Sequence, residues 1–416
     1  DTIGAIAGAI LGAALGVEVL PTDSLSMIEE ISHLGLSTVA GDLLVLRDQA
    51  IVGRQEDAAT DASSDARPEV SHGVASPEAP APTSSPASPA GRVVLMGQIL
   101  VDLAVRGEAL PSPGGDVWAI DEGMHVGGGF NALVAARRMG AETVSLSPIG
   151  SGPHSSLIQA ALEHEGVTDL GPRIAGIDNG FCIAFTDRTG ERTFISTKGA
   201  ETMSPASAWA DFVQTMHPGD VLYIDGYLMD HPANREAAEA ALRILPEGVR
   251  VLLDVSPFIG IPSALPSDGV IVSMNLREAQ EIARQRGDAS DRNQCFQPRE
   301  AARAMLSTLD RPVLLRAGAE GAYFVRSCDA ALSASDTDPS YIPTPRVEAI
   351  DTNGAGDAHS GVLAASLALG IPTERALLLA NCAGALSTTV VGPASCPPRD
   401  QIEAAADALE ASTGEK

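Results

Sequence analysis

Between Arg92 and Arg326 short apolar runs recur, and most are separated by stretches of helical composition. Arg92–Gly97, Thr143–Ile149, Val221–Asp225, Val251–Val255, Val270–Met274 and Pro312–Arg316 each read as a strand. Strands separated by helices are joined by crossovers, and crossovers produce a mostly parallel sheet with helices packed on its faces. The alternation therefore predicts an α/β fold from about residue 91 onward. Helices are expected over Ala132–Met139, Ser155–Glu165 and Ala376–Val391. Strand Val117–Val126 and a hairpin of Phe181–Phe185 with Thr193–Ser196, turning at Asp187-Arg188-Thr189-Gly190, interrupt the alternation. The short run Ile99–Leu103 reads as a continuation of the first strand.

One segment near the end of this region combines a tight turn with a helix start. Asp351-Thr352-Asn353-Gly354-Ala355-Gly356-Asp357 precedes a mostly apolar run from Ala358 to Leu369, which stops at Gly370 and Pro372. A helix N-terminus exposes unpartnered N–H groups at the positive end of its dipole, so it suits a phosphoryl group that is gathering charge. Asp357, in the first turn, is placed to take a proton from a hydroxyl lying between its carboxylate and that group. The plainer reading is a turn followed by an N-terminal charge that complements the dipole.

The seven residues resemble the D-T-x-G-A-G-D signature of the PfkB (ribokinase-like) sugar and nucleoside kinases. The resemblance implies a ribokinase-like α/β domain over residues 91–416, with ATP as phosphate donor, Mg²⁺ and, in some members, a monovalent cation. Asp357 becomes the general base, and the Gly354, Ala355 and Gly356 amides the anion hole. The run Gly127-Gly128-Gly129-Phe130-Asn131 matches the family's glycine-rich turn, which makes Asp102, Gly128 and Asn131 acceptor contacts; taken singly, Asp102 is a strand-end residue and Asn131 a helix cap. Asn275-Leu276-Arg277-Glu278 matches an N-x-x-E element, which implies nucleotide contact for Asn275 and Mg²⁺ positioning, largely through water, for Glu278. Gly318 and Gly321 fall in the family's G-x-x-G turn beside the nucleotide, and Asn381 is placed near the base. Arg316 stands where threonine is common, and His359 where phenylalanine is, without a catalytic role. Residues 112–126 and 181–198 would form a small β lid, which in the family closes over the site and often makes a homodimer contact.

Composition narrows the partners. A formal net charge of −27 argues against a nucleic-acid or anionic-membrane surface, so phosphate must be handled locally. The acceptor is then a small molecule. Five cysteines without C-x-x-C spacing fit reduced thiols in a cytoplasmic protein.

The sequence opens on Asp1 rather than Met, which reads as a processed product or a fragment. Residues 1–52 read as a short all-α remnant, with Gly4, Gly8, Gly12 and Gly16 along one face of its first helix, expected to be buried in soluble protein rather than to span a membrane. Asp1-Thr2 and this glycine-rich helix are similar to the last motif of ADP-ribosylglycohydrolases, though the preceding carboxylates are missing. Residues 53–90, with five prolines from Pro77 to Pro89, read as a disordered linker. On this reading the acceptor is ribose or a related furanose, with a nucleoside as the alternative. A rival is an ADP-ribosyl hydrolase fusion whose kinase-like part only binds sugar.

Overall fold

The computed structural model describes residues 91–188, 192–285, 297–326 and 338–414. The helical remnant expected at 1–52, the linker at 53–90, the tip of the hairpin turn at Gly190, Cys295 and Cys328 lie outside the described residues.

In chain order the elements are β1 (Arg92–Met96), β2 (Ile99–Arg106), β3 (Asp121–Gly128), α1 (Gly129–Arg138), β4 (Glu142–Ser145), α2 (Pro153–His164), β5 (Thr168–Asp169), β6 (Phe181–Thr186) and β7 (Arg192–Ser196). There follow α3 (Ala208–Val213), β8 (Val221–Asp225), α4 (Pro232–Leu242), β9 (Arg250–Asp254), β10 (Val270–Asn275), α5 (Leu276–Gln285), α6 (Pro298–Leu309) and β11 (Val313–Arg316). Last come β12 (Ala322–Val325), β13 (Ser340–Ile342), α7 (Ala355–Ala368), α8 (Thr373–Ser387) and α9 (Arg399–Gly414).

Alternate residues of a strand point to opposite faces, so strands that are apolar at every position must be covered on both. Val93 and Leu95 of β1 join one buried cluster, with Leu133 of α1 and Val362 of α7, while Val94 and Met96 join a second, with Trp209 of α3 and Ala238 of α4. The same split recurs in β8, where Val221 and Tyr223 face the first cluster and Leu222 and Ile224 the second. The result is a nine-stranded sheet in the order β13-β12-β11-β10-β9-β8-β1-β4-β5, parallel from β5 to β11, with β12 and β13 antiparallel at one edge. The expected ribokinase-like α/β architecture is present. Among the described residues no helix is long and apolar enough to cross a membrane, and Cys182, Cys382 and Cys396 are free and buried.

The structure corrects several boundaries. Ile99–Leu103 does not extend β1: the chain leaves the main sheet at Gly97-Gln98, and β2 joins a second, four-stranded sheet, β3-β2-β6-β7. A Cβ at Gly97 would lie 2.0 Å from Asp225 Oδ2, so the crossing is too close to β8 for any side chain. Period and apolarity mark a strand but not its sheet, which is why this was not legible. The expected strand Val117–Val126 begins at Asp121 and runs to Gly128. The helix expected from Ala358 begins at Ala355, which brings Gly356 into its first turn. Thr143–Ile149 is strand only as far as Ser145, with Ile149 in an isolated bridge to Arg173.

Helices α1 and α7 pack side by side over the sheet. At Gly361 of α7 a Cβ would lie 2.2 Å from the Ala132 carbonyl oxygen and 2.8 Å from Ala135 Cβ. Alanine is favoured over glycine in a helix by about 1 kcal/mol, but overpacking costs typically 1–3 kcal/mol. Gly361→Ala is therefore expected to lower the melting temperature; an unchanged or higher melting temperature would show that the two helices can separate without cost.

Candidate active site

Four neighbouring parallel strands end at one cavity, and each ends in a polar residue. Asp225 closes β8, Asp254 β9, Asn275 β10 and Arg316 β11, with Asp225 paired to Asp254 and Asn275 to Arg316 in register. All four line a cavity of about 1130 Å³. Ligands of open parallel sheets bind outside the carboxyl ends of the strands, and this cavity lies there. The second sheet supplies another wall through Leu100, Asp102, Cys182 and Phe194.

Two helix N-termini also open onto the cavity. Helix α7 starts after Gly354 at φ 73°, and no side chain caps it. A Cβ at Gly354 would lie 1.9 Å from the Pro393 carbonyl oxygen, so both conformation and space require glycine there. Gly354, Ala355, Gly356 and Asp357 all line the cavity. Helix α1 starts after Gly128, at φ 66°, also without a side-chain cap, and Gly128 and Gly129 line the same space. The positive ends of two helices thus meet one cavity.

The chemistry concentrates where α1 and α7 meet. Asn131 Nδ2 donates to Asp357 Oδ2 at 2.9 Å. Asn131 Oδ1 is buried and finds no partner among the described residues, so it remains open as an acceptor. Burial pushes the Asp357 carboxyl up to about 7; the bond from Asn131 and the charge of Arg316 oppose this, while Asp254 and Asp225 add to it. Burial likewise raises Asp102 to about 6, and Asp225 to about 6 although Asp225 accepts from the Gln98 and Leu228 amides at 2.8 and 3.0 Å. Carboxyls poised near neutrality in one cavity suit proton transfer.

The remaining expected residues divide. Gly318 and Gly321 line the cavity at φ 58° and 98°, in a turn closed by a bond from the Ala317 amide to the Gly321 carbonyl at 2.8 Å. Asn381 also lines it, but its amide donates to the Ile342 and Pro343 carbonyls, both at 3.0 Å, and its oxygen pairs with His359 Nε2 at 3.1 Å. It shapes the wall. Burial lowers His359 to about 3, so the ring is neutral. Lys198 is exposed, 3.7 Å from Asp230 at the cavity edge.

Asn275 and Glu278 cap each other. The Asn275 amide and side chain donate to the two Glu278 oxygens at 2.7 and 2.8 Å, and the Glu278 amide donates to Asn275 Oδ1 at 3.0 Å. Asn275 reaches the cavity, but the Glu278 carboxylate is spent on this cap and lies 3.8 Å from Arg316.

Asp225, Asp254 and Gln98 were not singled out from sequence. A carboxylate after a buried strand is as common in a turn as in a site, and only the neighbouring strands reveal the difference. Asp351, the first residue of the glycine-rich segment, faces away from chemistry: it pairs with Arg192 of β7 and accepts from the Asn353 and Gly392 amides at 2.9 and 3.1 Å. It ties the turn to the second sheet.

Known proteins are similar to this chain in sequence and fold. The family model described as pfkB family carbohydrate kinase matches residues 90–400. An uncharacterised sugar kinase of Escherichia coli, YegV, is 31% identical over 326 residues, covering 74% of this chain and 92% of its own. The ribokinase of Schizosaccharomyces pombe is 24% identical over 315 residues, covering 74% and 94%. The solved structure of Arabidopsis thaliana ribokinase complexed with ribose and ATP has the same fold at a TM-score of 0.61 and 22% identity, over 76% of this chain and 99% of that one. None of these matches bears on residues 1–52 as a hydrolase tail, since the matched family span begins at residue 90.

The raised Asp357 carboxyl predicts a pH dependence of stability. Its value in the folded chain, about 7, lies above its ordinary 3.8, so its contribution is fully present below about pH 4 and is lost as pH rises through 7. Asp357→Asn removes the buried charge and is expected to stabilise the fold by roughly 2 kcal/mol at pH 8, after allowance for its solvent-facing side. The gain should shrink toward pH 5. Thermal unfolding of both proteins at the two pH values checks this, and an equal difference at both would contradict it.

Proposed function

We propose that this chain, which belongs to the pfkB family of carbohydrate kinases, phosphorylates a hydroxyl of a furanose, ribose first, with ATP as donor. The observation that carries the reading is Asp357: a carboxyl poised near neutral pH in the first turn of an uncapped helix, on the cavity where the sheet strands end. The acceptor hydroxyl gives its proton to Asp357 as its oxygen bonds the γ-phosphorus, and the bond from that phosphorus to the β-phosphate oxygen breaks. The Gly354, Ala355 and Gly356 backbone holds the charge on the group in transit. The orphaned Asn131 Oδ1 and the Asp102 carboxylate hold the other sugar hydroxyls, with Gly128 allowing close approach. The Gly318–Gly321 turn, Asn275 and the wall built by Asn381 take the nucleotide.

Ribose comes first because residues 1–52 resemble the tail of an enzyme class that releases ADP-ribose. A nucleoside acceptor is the second reading, supported by Tyr227 and Phe194, which line the same cavity and offer aromatic faces to a base. Mg²⁺ on the nucleotide would neutralise its phosphates. The Glu278 carboxylate, which accepts from Asn275 and faces Arg316, would help position that ion through water rather than as a direct ligand.

The second sheet serves as the lid, and Met124 of β3 and Ile195 of β7 are exposed on its two edge strands, as are Trp118 and Ile120 just before β3. These apolar residues suit a homodimer contact through the lid. Closure over bound acceptor would exclude water and limit ATP hydrolysis.

ATP consumption with Mg²⁺, with and without K⁺, should depend on acceptor across ribose, deoxyribose, fructose, adenosine and other nucleosides. Asp357→Asn should cut kcat by about 10³-fold without unfolding, and kcat/KM of the native chain should fall below about pH 7 as the base is protonated. Asp102→Asn should instead raise the acceptor KM by about 10-fold or more, leaving the ATP KM nearly unchanged. Native turnover in Asp357→Asn would defeat the assignment of the base.

A further inference from the structure

Arg316 is a buried cation in a cavity wall otherwise rich in carboxylates. Its side chain is 12% exposed, and its guanidinium makes a bidentate pair with Asp254, Nη1 to Oδ2 at 2.8 Å and Nη2 to Oδ1 at 2.9 Å. The pair is itself bonded into the helix that carries the base. Arg316 Nη1 donates to the Gly356 carbonyl at 3.2 Å and to Ser360 Oγ at 3.2 Å, and Ser360 Oγ donates to Asp254 Oδ2 at 2.6 Å. Glu278 lies 3.8 Å away on α5. One side chain therefore joins the ends of β9 and β11, the start of α5 and the first two turns of α7.

We propose that Arg316 is a positioning residue for phosphoryl transfer, anchoring the first turn of α7 to the strand ends and supplying the positive charge that offsets the carboxylates around Asp357. The proposal rests on Asp357 being the base. Geometry gives the anchoring: the contact falls on Gly356, within the segment assigned to the phosphoryl group, and a Cβ at Gly356 would lie 3.2 Å from Nη1, so the packing there is close. A shift of this turn moves the base and the anion hole together, and misplacements of this size are costly to rate.

Charge gives the second part. Asp357 is faced by Asp225 from β8, Asp254 from β9, Arg316 from β11 and Asn131 from α1, while His359 on its own helix is neutral. Burial works against the guanidinium charge, but Asp254 and Glu278 outweigh it and keep Arg316 protonated. Removing the cation leaves Asp254 and Glu278 uncompensated, and Asp357 then holds its proton to higher pH.

The test compares the native chain with Arg316→Gln and Arg316→Lys. The Asp357 carboxyl is followed by ¹³C NMR against pH, its signal assigned by loss in Asp357→Asn. The midpoint is expected to move to higher pH in Arg316→Gln and partway back in Arg316→Lys; a midpoint unmoved in Arg316→Gln overturns the proposal. In the kinetic arm kcat should fall about 10-fold or more with the acceptor and ATP KM values little changed, and kcat within twofold of native would overturn it. Should Arg316→Gln fail to fold, the double variant Arg316→Gln/Asp254→Asn removes both charges together. Its melting temperature should recover while kcat stays low, and native kcat in that variant counts against the proposal. A native chain inert toward every acceptor would tell against the kinase reading, and the carboxyl titration would then still decide whether Arg316 sets the ionisation of Asp357.

Discussion

The hydrogen bond between Asn131 and Asp357 joins the first turns of α1 and α7, and the rest of the site is arranged about it. A carboxyl there is surrounded by protein on every side but the cavity, so it is held near neutral ionisation rather than fully charged. The bond works against that burial and fixes the carboxyl's direction, while leaving Asn131 Oδ1 open as an acceptor. Both helices need glycine at the point where they start, Gly128 and Gly354, because each backbone turns through positive φ against a neighbouring carbonyl. The helices lie close enough for the bond only because Gly361 has no side chain. Backbone sterics thus set the position of the Asp357 carboxyl.

The sheet contributes charge rather than direction. Its parallel strands end together, and their last residues, Asp225, Asp254, Asn275 and Arg316, form one row along the cavity floor. Two carboxylates and one guanidinium within this row raise or lower the ionisation of Asp357 without touching it. Asp225 has a further part. By accepting from the Gln98 amide it fixes the place where the chain crosses from the main sheet into the second sheet, so that crossing and the floor of the site share a residue. Asp351 makes a corresponding tie on the opposite side through Arg192 of β7.

Much of this was legible in sequence where the cause is local. The apolar runs became strands nearly residue for residue at Val221–Asp225, because a fully buried strand needs apolar side chains at successive positions. The Gly354–Asp357 turn was legible because few residues tolerate its conformation and the helix after it is apolar. Asp102, Gly128, Asn131, Gly318 and Gly321 were placed together by resemblance, and the fold does bring them to one cavity. What the sequence hid depends on long-range neighbours. Asp254 looks like any strand-end carboxylate until Arg316, 62 residues later, pairs with it. Glu278 has the spacing of a phosphate-site element, and its spacing alone did not show that its oxygens also cap α5 with Asn275. The departure at Arg316 was visible as an odd residue, but its partners were not.

The most direct test of the central claim is a crystal structure of the chain with ADP, a trigonal fluoride mimic of the phosphoryl group, and ribose. The account predicts a ribose hydroxyl within about 3 Å of the Asp357 carboxylate, in line with the mimic, and the mimic itself against the Gly354–Gly356 amides. A mimic seated away from the start of α7, or a sugar whose hydroxyls all lie beyond reach of Asp357, would contradict it.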